Sequence, residues 1–316
     1  MKRQLLVLID RTPAALARLQ QAGFDLHVAT TTEAQAALLP AVGPNVTAVL
    51  TNGTTGLSAD AMAQLPRLEI VCCVGAGYEG VDVAAAKARG ITVTHGPATN
   101  DASVADHAMA LLMAVARAIP QADAAVRRGE WAQSRHLRPM VSGKRMGILG
   151  LGNIGLQIAR RGAGGFEMPI AYHNRRLRED CPYTYFPSPA ALAEWSDYMV
   201  IATPGGAATT HLVDSAVLEA LGPNGYLVNI GRGSVVDTNA LIDALKHGRI
   251  GGAALDVIDG EPEVPAELTK LTNVVLTPHI AGRSPEAVAA TAQLLLDNLS
   301  AYFAGRPVLT PVPQNI

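Results

Sequence analysis

Short apolar runs recur along the chain, each followed by a polar or glycine-rich turn and then by helical periodicity. In the first third, residues 4–9, 25–29, 47–50, 68–74 and 91–94 read as strands, and 12–22 and 83–89 as helices. Thr12 followed by Pro13 is a helix cap with proline at the first turn. A long segment over 103–118 is apolar on most of its surface (Ala105, Ala108, Met109, Leu111, Leu112, Val115) and is expected to lie buried between layers. His107 within it reads as a packing residue. A second helix is predicted over 121–131. The alternation then resumes, with strands at 145–149, 168–172, 198–202, 225–230, 252–257 and 274–276 and helices at 156–161, 190–195, 215–221, 238–247 and 285–303. Residues 181–187 read as a loop. This alternation predicts the α/β class, with parallel sheets covered on both faces and ligands beyond the carboxyl ends of the strands. The glycine-containing stretches 51–56 and 75–80 sit at two such ends and serve at least as turns.

The sharpest local pattern is Gly150-Leu151-Gly152-Asn153-Ile154-Gly155, between an apolar strand and a helix. Gly150 permits the turn, Gly152 lets the backbone approach a pyrophosphate, and Gly155 lets the helix pack close to the strand. The helix N-terminus then offers N–H groups and a positive dipole end to the phosphates. A six-residue glycine pattern alone is weak in a chain with 30 glycines. The strand before, the helix after and the second strand at 168–172 make it a dinucleotide site. An NAD site usually carries Asp or Glu about 20 residues on, for the ribose 2′-hydroxyl. Here the position holds His173-Asn174-Arg175-Arg176, with no carboxylate until Glu179. Arginines pair with phosphate through a planar fork, so the pattern favours NADPH, with NAD still open to it.

Composition narrows the alternatives. The chain has 316 residues, 49% hydrophobic and 16% charged, enough for two domains with large cores and against disorder. A net charge of −2 gives no basic excess for nucleic acid. The cysteines are Cys72, Cys73 and Cys181, an odd number and no disulfide framework, and no Cys/His cluster has metal spacing. The N-terminal segment lacks a signal peptide, and no apolar run is long enough to span a membrane. The expectation is a cytoplasmic protein.

Three strand ends in the second half carry one unusual polar residue each: Arg232 between glycines, Glu261 before a proline and His279 after one. Arg232 can clamp a carboxylate or polarise a carbonyl. His279 can give or take a proton near neutral pH, and Glu261 can hold its imidazole in one tautomer. Reduction of a ketone by hydride needs such a set: a cofactor, a cation on the oxygen and a proton source.

The chain resembles the D-isomer-specific 2-hydroxyacid dehydrogenases, in their glyoxylate/hydroxypyruvate reductase (2-ketogluconate reductase-like) branch. The matching segments are Val74-Gly-Ala-Gly-Tyr-Glu-Gly-Val-Asp82, Gly150-Leu-Gly-Asn-Ile-Gly155, Asn229-Ile-Gly-Arg-Gly-Ser-Val-Val-Asp237, Ala254-Leu-Asp-Val-Ile-Asp-Gly-Glu-Pro262 and Thr277-Pro-His-Ile280. They cover most of the chain in family order. The resemblance implies two doubly wound parallel-sheet, Rossmann-like domains. A catalytic, substrate-binding domain would be built from 1–98 plus 285–316, with a dinucleotide-binding domain, 99–284, inserted into it. It implies Arg232, Glu261 and His279 as the catalytic set, with Val74, Gly75 and Ala76 offering backbone N–H groups to the substrate carboxylate. The cofactor would meet Gly150, Gly152, Asn153, Ile154, Gly155, Asn174, Arg175, Arg176, Thr203, Pro204, Thr209, Ile230, Gly231, Arg232, Asp256, His279 and Gly282. It also implies a homodimer through the cofactor domain, in which residues 134–141 of one chain reach the other's site. The substrates implied are glyoxylate, hydroxypyruvate and 2-ketogluconate. Where the family often has Leu-Thr-Pro-Glu after its proline, this chain has Gly205-Gly-Ala-Ala208, which predicts a looser cofactor wall. The other readings are a corepressor or sensor of the same fold and a phosphoglycerate dehydrogenase-like enzyme. The intact Arg232, Glu261 and His279 oppose the first, and the lack of a long regulatory extension opposes the second.

Overall fold

The computed structural model describes residues 2–313. The chain divides into two compact units, one formed by residues up to Asn100 together with those from Ser284 onward, the other by Asp101–Arg283.

The first unit is built from β1 (Arg3–Val7), α1 (Pro13–Gln21), β2 (Phe24–Val28), α2 (Thr32–Val42), β3 (Val46–Asn52), α3 (Ala59–Ala63), β4 (Ile70–Val74), α4 (Val83–Ala88) and β5 (Thr92–Thr94). Its strands form one parallel sheet in the order β2-β1-β3-β4-β5. The Thr12 hydroxyl accepts the Ala15 N–H at 3.3 Å, as its place before Pro13 predicts. Helix α2 opens on a Thr31 cap, whose hydroxyl accepts the Ala34 N–H at 3.2 Å, but it carries Pro40 in its interior and buries no residue fully, so no apolar period announced it. The side chains alternate between two apolar clusters: Leu6, Val49 and Val71 on one face, Leu5, Val7, Leu50 and Ile70 on the other. The loops after β3 and β4 are more than turns, because they close backbone to backbone. Gly80 N–H donates to Gly53 O at 2.9 Å and Leu57 N–H to Gly80 O at 3.0 Å. A Cβ on Gly56 would stand 2.0 Å from Gly80 O, and its φ of +65° disfavours any other residue.

The second unit opens with α5 (Asp101–Arg117) and α6 (Ile119–Arg127), separated by Ala118 at φ +48°. It continues through β6 (Met146–Leu149), α7 (Asn153–Phe166), β7 (Ile170–His173), β8 (Thr184–Tyr185), α8 (Pro189–Trp195), β9 (Tyr198–Ile201), α9 (Ser215–Leu221), β10 (Tyr226–Asn229), α10 (Thr238–Lys246), β11 (Gly252–Leu255), α11 (Ala266–Thr269) and β12 (Val274–Leu276). The seven strands are all parallel, in the order β12-β11-β10-β9-β6-β7-β8. The order reverses between β6 and β9, the topological switch point of a doubly wound sheet. Strands β6, β9 and β11 are buried throughout, as a sheet covered on both faces requires. Met146, Ile148, Tyr198 and Val200 meet α5 and α7, while Leu149, Met199 and Ile201 meet α8, α9 and α10.

The elements depart from the sequence expectation in several places: α7 runs over Asn153–Phe166 where 156–161 was expected, and α2, α3 and α11 are additional. Helix α5 begins at Asp101. Helix α6 stops at Arg127, just before Gly129 at φ +79°, leaving Trp131 on a non-helical arm and 66% exposed. The stretch expected to be a loop after residue 181 contains β8, whose two residues pair with β7 and are too few to show a period.

The closing helix α12 (Pro285–Phe303) belongs to the first unit, where Leu295 and Leu299 pack on the cluster of Leu5 and Ile70. All three cysteines are free thiols, and burial pushes Cys72 and Cys73 up to about 12, far from a reactive thiolate at neutral pH. No single helix among the described residues is long and apolar enough to cross a membrane. Helices α5 and α6 reach that length only as a pair bent by 59°.

Candidate active site

Because every strand of the second unit is parallel, all their carboxyl ends lie on one edge, and the polar residues singled out above follow those ends in turn. The glycine turn follows β6. Gly150 has φ +98°, and a Cβ there would stand 2.6 Å from Thr203 Oγ1; a Cβ on Gly155 would stand 2.3 Å from Gly150 O. A Cβ on Gly152 would meet nothing within 4 Å. That contrast fits a dinucleotide: two glycines are required by the protein itself, and the third faces open space where a pyrophosphate would come. Helix α7 opens at Gly152 with no side-chain cap. The backbone N–H groups of Asn153, Ile154 and Gly155 donate to nothing among the described residues, which leaves the anion-binding groups of the helix N-terminus available. Asn174, at the end of β7, accepts the Leu151 N–H on its Oδ1 at 2.7 Å. Arg175 and Arg176 follow, both exposed and without an ion pair among the described residues.

Arg232 follows β10. Asn229, 1% exposed, builds its turn: Nδ2 donates to Arg232 O at 3.0 Å, and Oδ1 accepts the Gly231 N–H at 3.0 Å. The half-buried guanidinium donates from Nη1 to Gly231 O at 2.8 Å. A Cβ on Gly231 would stand 2.6 Å from Thr203 O, so this position must be glycine. Glu261 and His279 follow β11 and β12 and meet directly, with Nδ1 of the imidazole 2.5 Å from Oε1 of the carboxylate. This geometry fixes a proton on Nδ1 and leaves Nε2 for exchange. Burial pushes the Glu261 carboxyl up. The hydrogen bond and charge of His279, the Ile258 N–H and the charge of Arg232 together outweigh it and hold the group below its ordinary value.

The strand β11 also delivers Asp256, which is 2% exposed. Its carboxylate accepts the Thr277 hydroxyl at 2.6 Å and the N–H groups of Ile280 and Ala281 at 2.9 Å each. Its carbonyl accepts the His279 N–H at 2.8 Å. His279 is thereby held at φ +53°, a left-handed conformation that side chains rarely adopt. His107 on α5 is part of this construction, with Nε2 3.0 Å from Thr277 Oγ1 and 3.4 Å from Asp256 Oδ1. Sequence reading treated it as packing; its signal, a histidine on an apolar helix, does not distinguish the two. Thr203 donates to Leu149 O at 2.9 Å and is buried, tying β9 to β6. Thr209 donates to Pro204 O at 2.8 Å, so the Gly205–Ala208 segment closes on itself. Ile230 is buried beside this edge, and Gly282 follows the buried Ala281. Val74, Gly75 and Ala76 belong to the first unit, at the carboxyl end of β4. There Gly75 has φ +86°, its carbonyl accepts the Gly96 N–H at 2.7 Å, and Ala76 O is 2.9 Å from His95 Nδ1.

A parallel sheet reversing beside an uncapped glycine turn, with Arg, Glu and His on successive strand ends, defines a nucleotide-dependent oxidoreductase. The chain belongs to the D-isomer specific 2-hydroxyacid dehydrogenases: the NAD binding domain of that family matches residues 109–281. It is an NAD(P)-binding enzyme of the two-domain Rossmann-like fold. A glyoxylate/hydroxypyruvate reductase A of Arabidopsis thaliana is 43% identical over 290 residues, 92% of either chain. A 2-ketogluconate reductase of Gluconobacter oxydans is 38% identical over 98% of this chain and 99% of its own. Among solved structures, an NADPH-dependent glyoxylate/hydroxypyruvate reductase of Sinorhizobium meliloti, in complex with NADP and malonate, is 41% identical. It superposes with a TM-score of 0.91 over 99% of this chain and 97% of that one.

The lowered Glu261 value carries a linkage with a definite sign. The carboxylate contributes stability above the unfolded carboxyl value, and that contribution is lost as pH falls through the folded one. Urea unfolding of wild type and Glu261→Gln should therefore differ most at neutral pH and converge in acid, once the folded carboxyl is protonated. A difference that grows on acidification would contradict the assignment of the pair.

Proposed function

We propose that the protein reduces small 2-oxo acids to D-2-hydroxy acids, with glyoxylate and hydroxypyruvate as the leading substrates, 2-ketogluconate as a further one, and NADPH preferred to NADH. The observation that carries this reading is the His279–Glu261 pair beside Arg232 on the sheet edge that also holds the dinucleotide turn. When bound there, the reduced nicotinamide supplies a hydride to C2 of the keto acid. Arg232 holds the substrate carboxylate and draws charge from the keto oxygen. His279 gives that oxygen a proton from Nε2, while Glu261 keeps the ring oriented. In the first unit, the loop after β4 offers the N–H groups of Gly75 and Ala76 as donors to a carboxylate. Their support is the loop that turns both carbonyls toward Gly96 and His95 and leaves both N–H groups without an acceptor among the described residues.

The NADPH preference rests on Asn174, Arg175 and Arg176 standing where a ribose-binding carboxylate would exclude a 2′-phosphate. The NADP-bound relative from Sinorhizobium meliloti supports it. Free thiols accord with a reducing, cytoplasmic setting.

A homodimer is part of the same proposal. Ile119, Val126, Trp131, Leu137 and Met140 present apolar side chains along α6 and its arm, with Leu137 100% exposed, which is the signature of a covered face.

Consumption of NADPH and NADH should be followed in parallel with glyoxylate, hydroxypyruvate and 2-ketogluconate. Turnover with NADPH at the higher kcat/KM is expected, and Arg232→Ala should lower kcat by about 100-fold or more while raising KM for the acid. Equal or better use of NADH would overturn the cofactor preference, and near-normal kinetics in Arg232→Ala the substrate role. Sedimentation should give about twice the 32.9 kDa chain mass, and Leu137→Asp should shift it toward the monomer. A wild-type monomer at micromolar concentration would remove the dimer.

A further inference from the structure

The segment from Asn174 to Arg178 makes two hydrogen bonds to one residue of the glycine turn. Asn174 Oδ1 accepts the Leu151 N–H at 2.7 Å, and Arg178 Nη1 donates to Leu151 O at 2.8 Å. Leu151, 1% exposed, lies between Gly150 and Gly152, so both polar backbone groups at the centre of the pyrophosphate turn are held by this segment. The Arg178 end is itself fixed. The hydroxyl of Tyr172, whose residue is fully buried, accepts the Arg178 N–H at 2.8 Å and donates to Arg178 O at 3.2 Å. Asp180 takes the remaining face of the guanidinium in a two-point pair, Nε to Oδ1 at 2.8 Å and Nη2 to Oδ2 at 2.5 Å. The guanidinium of Arg178 is therefore already engaged on both sides. Arg175 and Arg176 lie between the two pins, exposed and unpaired among the described residues.

We infer that Arg178 is a positioning residue for cofactor discrimination: with Asn174 it fastens the arch bearing Arg175 and Arg176 to the pyrophosphate turn, so that the two phosphate-recognising elements keep a fixed spacing. This rests on the NADPH reading above. A guanidinium that is already ordered binds phosphate without the entropy cost of arresting a loose loop. Release of the Arg178 pin leaves the turn supported by Asn174 and its glycines but frees the distal end of the arch. The loss therefore falls on the 2′-phosphate more than on the pyrophosphate. The sequence gives no sign of this, since Arg178 is one of three arginines in four positions and its partner is a carbonyl 27 residues earlier.

The test is calorimetric titration of NADP+ and NAD+ into wild type, Arg178→Met and Asp180→Ala, with Arg175→Ala as comparator. Arg178→Met should weaken NADP+ by about tenfold and NAD+ by about twofold, lowering the preference about fivefold. Asp180→Ala, at an exposed carboxylate, should move the preference the same way by less, and decides the matter if Arg178→Met does not fold. Equal weakening of both nucleotides, or an unchanged ratio, while Arg175→Ala still loses the preference, would overturn the inference and leave the NADPH reading standing. A wild type with no preference would overturn that reading and the inference with it.

Discussion

The candidate chemistry of the second unit depends on one buried charge, the carboxylate of Asp256. It stands at the end of β11 and accepts three donors from the loop that follows β12. Each hydrogen bond to a charged group contributes about 1.5–3 kcal/mol. Holding His279 at a left-handed φ costs about 1–2 kcal/mol. The bonds outweigh the strain, so the loop is held in the conformation that turns the imidazole to Glu261. A hydrophobic residue at 256 would take the acceptor from the N–H groups of Ile280 and Ala281 and from the Thr277 hydroxyl, and would loosen the loop that carries His279.

The dinucleotide end of the same edge is organised by close approach rather than by charge. Gly150, Gly155 and Gly231 lie where a Cβ would overlap Thr203 or a backbone carbonyl, and Thr203 in turn bonds to Leu149 O. Neighbouring strand ends are thus locked together by backbone contact, and the polar side chains Asn174 and Arg178 of the next loop are tied to the same turn. Rigidity at both ends of the edge is what hydride transfer requires, since a displacement of about 1 Å can cost a hundredfold in rate.

Much of this was legible in the sequence. The apolar runs located nearly every strand because buried parallel strands are continuously hydrophobic, and Thr12, Pro13 and the glycine turn carry their meaning in residue type alone. Arg232, Glu261 and His279 stood out as polar residues just after apolar runs, and the structure brings all three to one sheet edge and the last two into contact. Helix α2 was hidden by Pro40, and β8 by its length. His107 and Arg178 were invisible for a different reason. Their work is done through partners far along the chain, Asp256 and Leu151, and neither pairing leaves a local period, cap or turn signature.

The central claim is that His279, steadied by Glu261, donates the proton. It is tested most directly by kcat for NADPH-dependent reduction of hydroxypyruvate in wild type, His279→Asn and Glu261→Gln. Loss of the proton donor should lower kcat by about 100-fold or more, and loss of the carboxylate that orients it by less. Near-normal turnover in His279→Asn would contradict the claim, and near-normal turnover in Glu261→Gln would leave Glu261 a purely structural carboxylate.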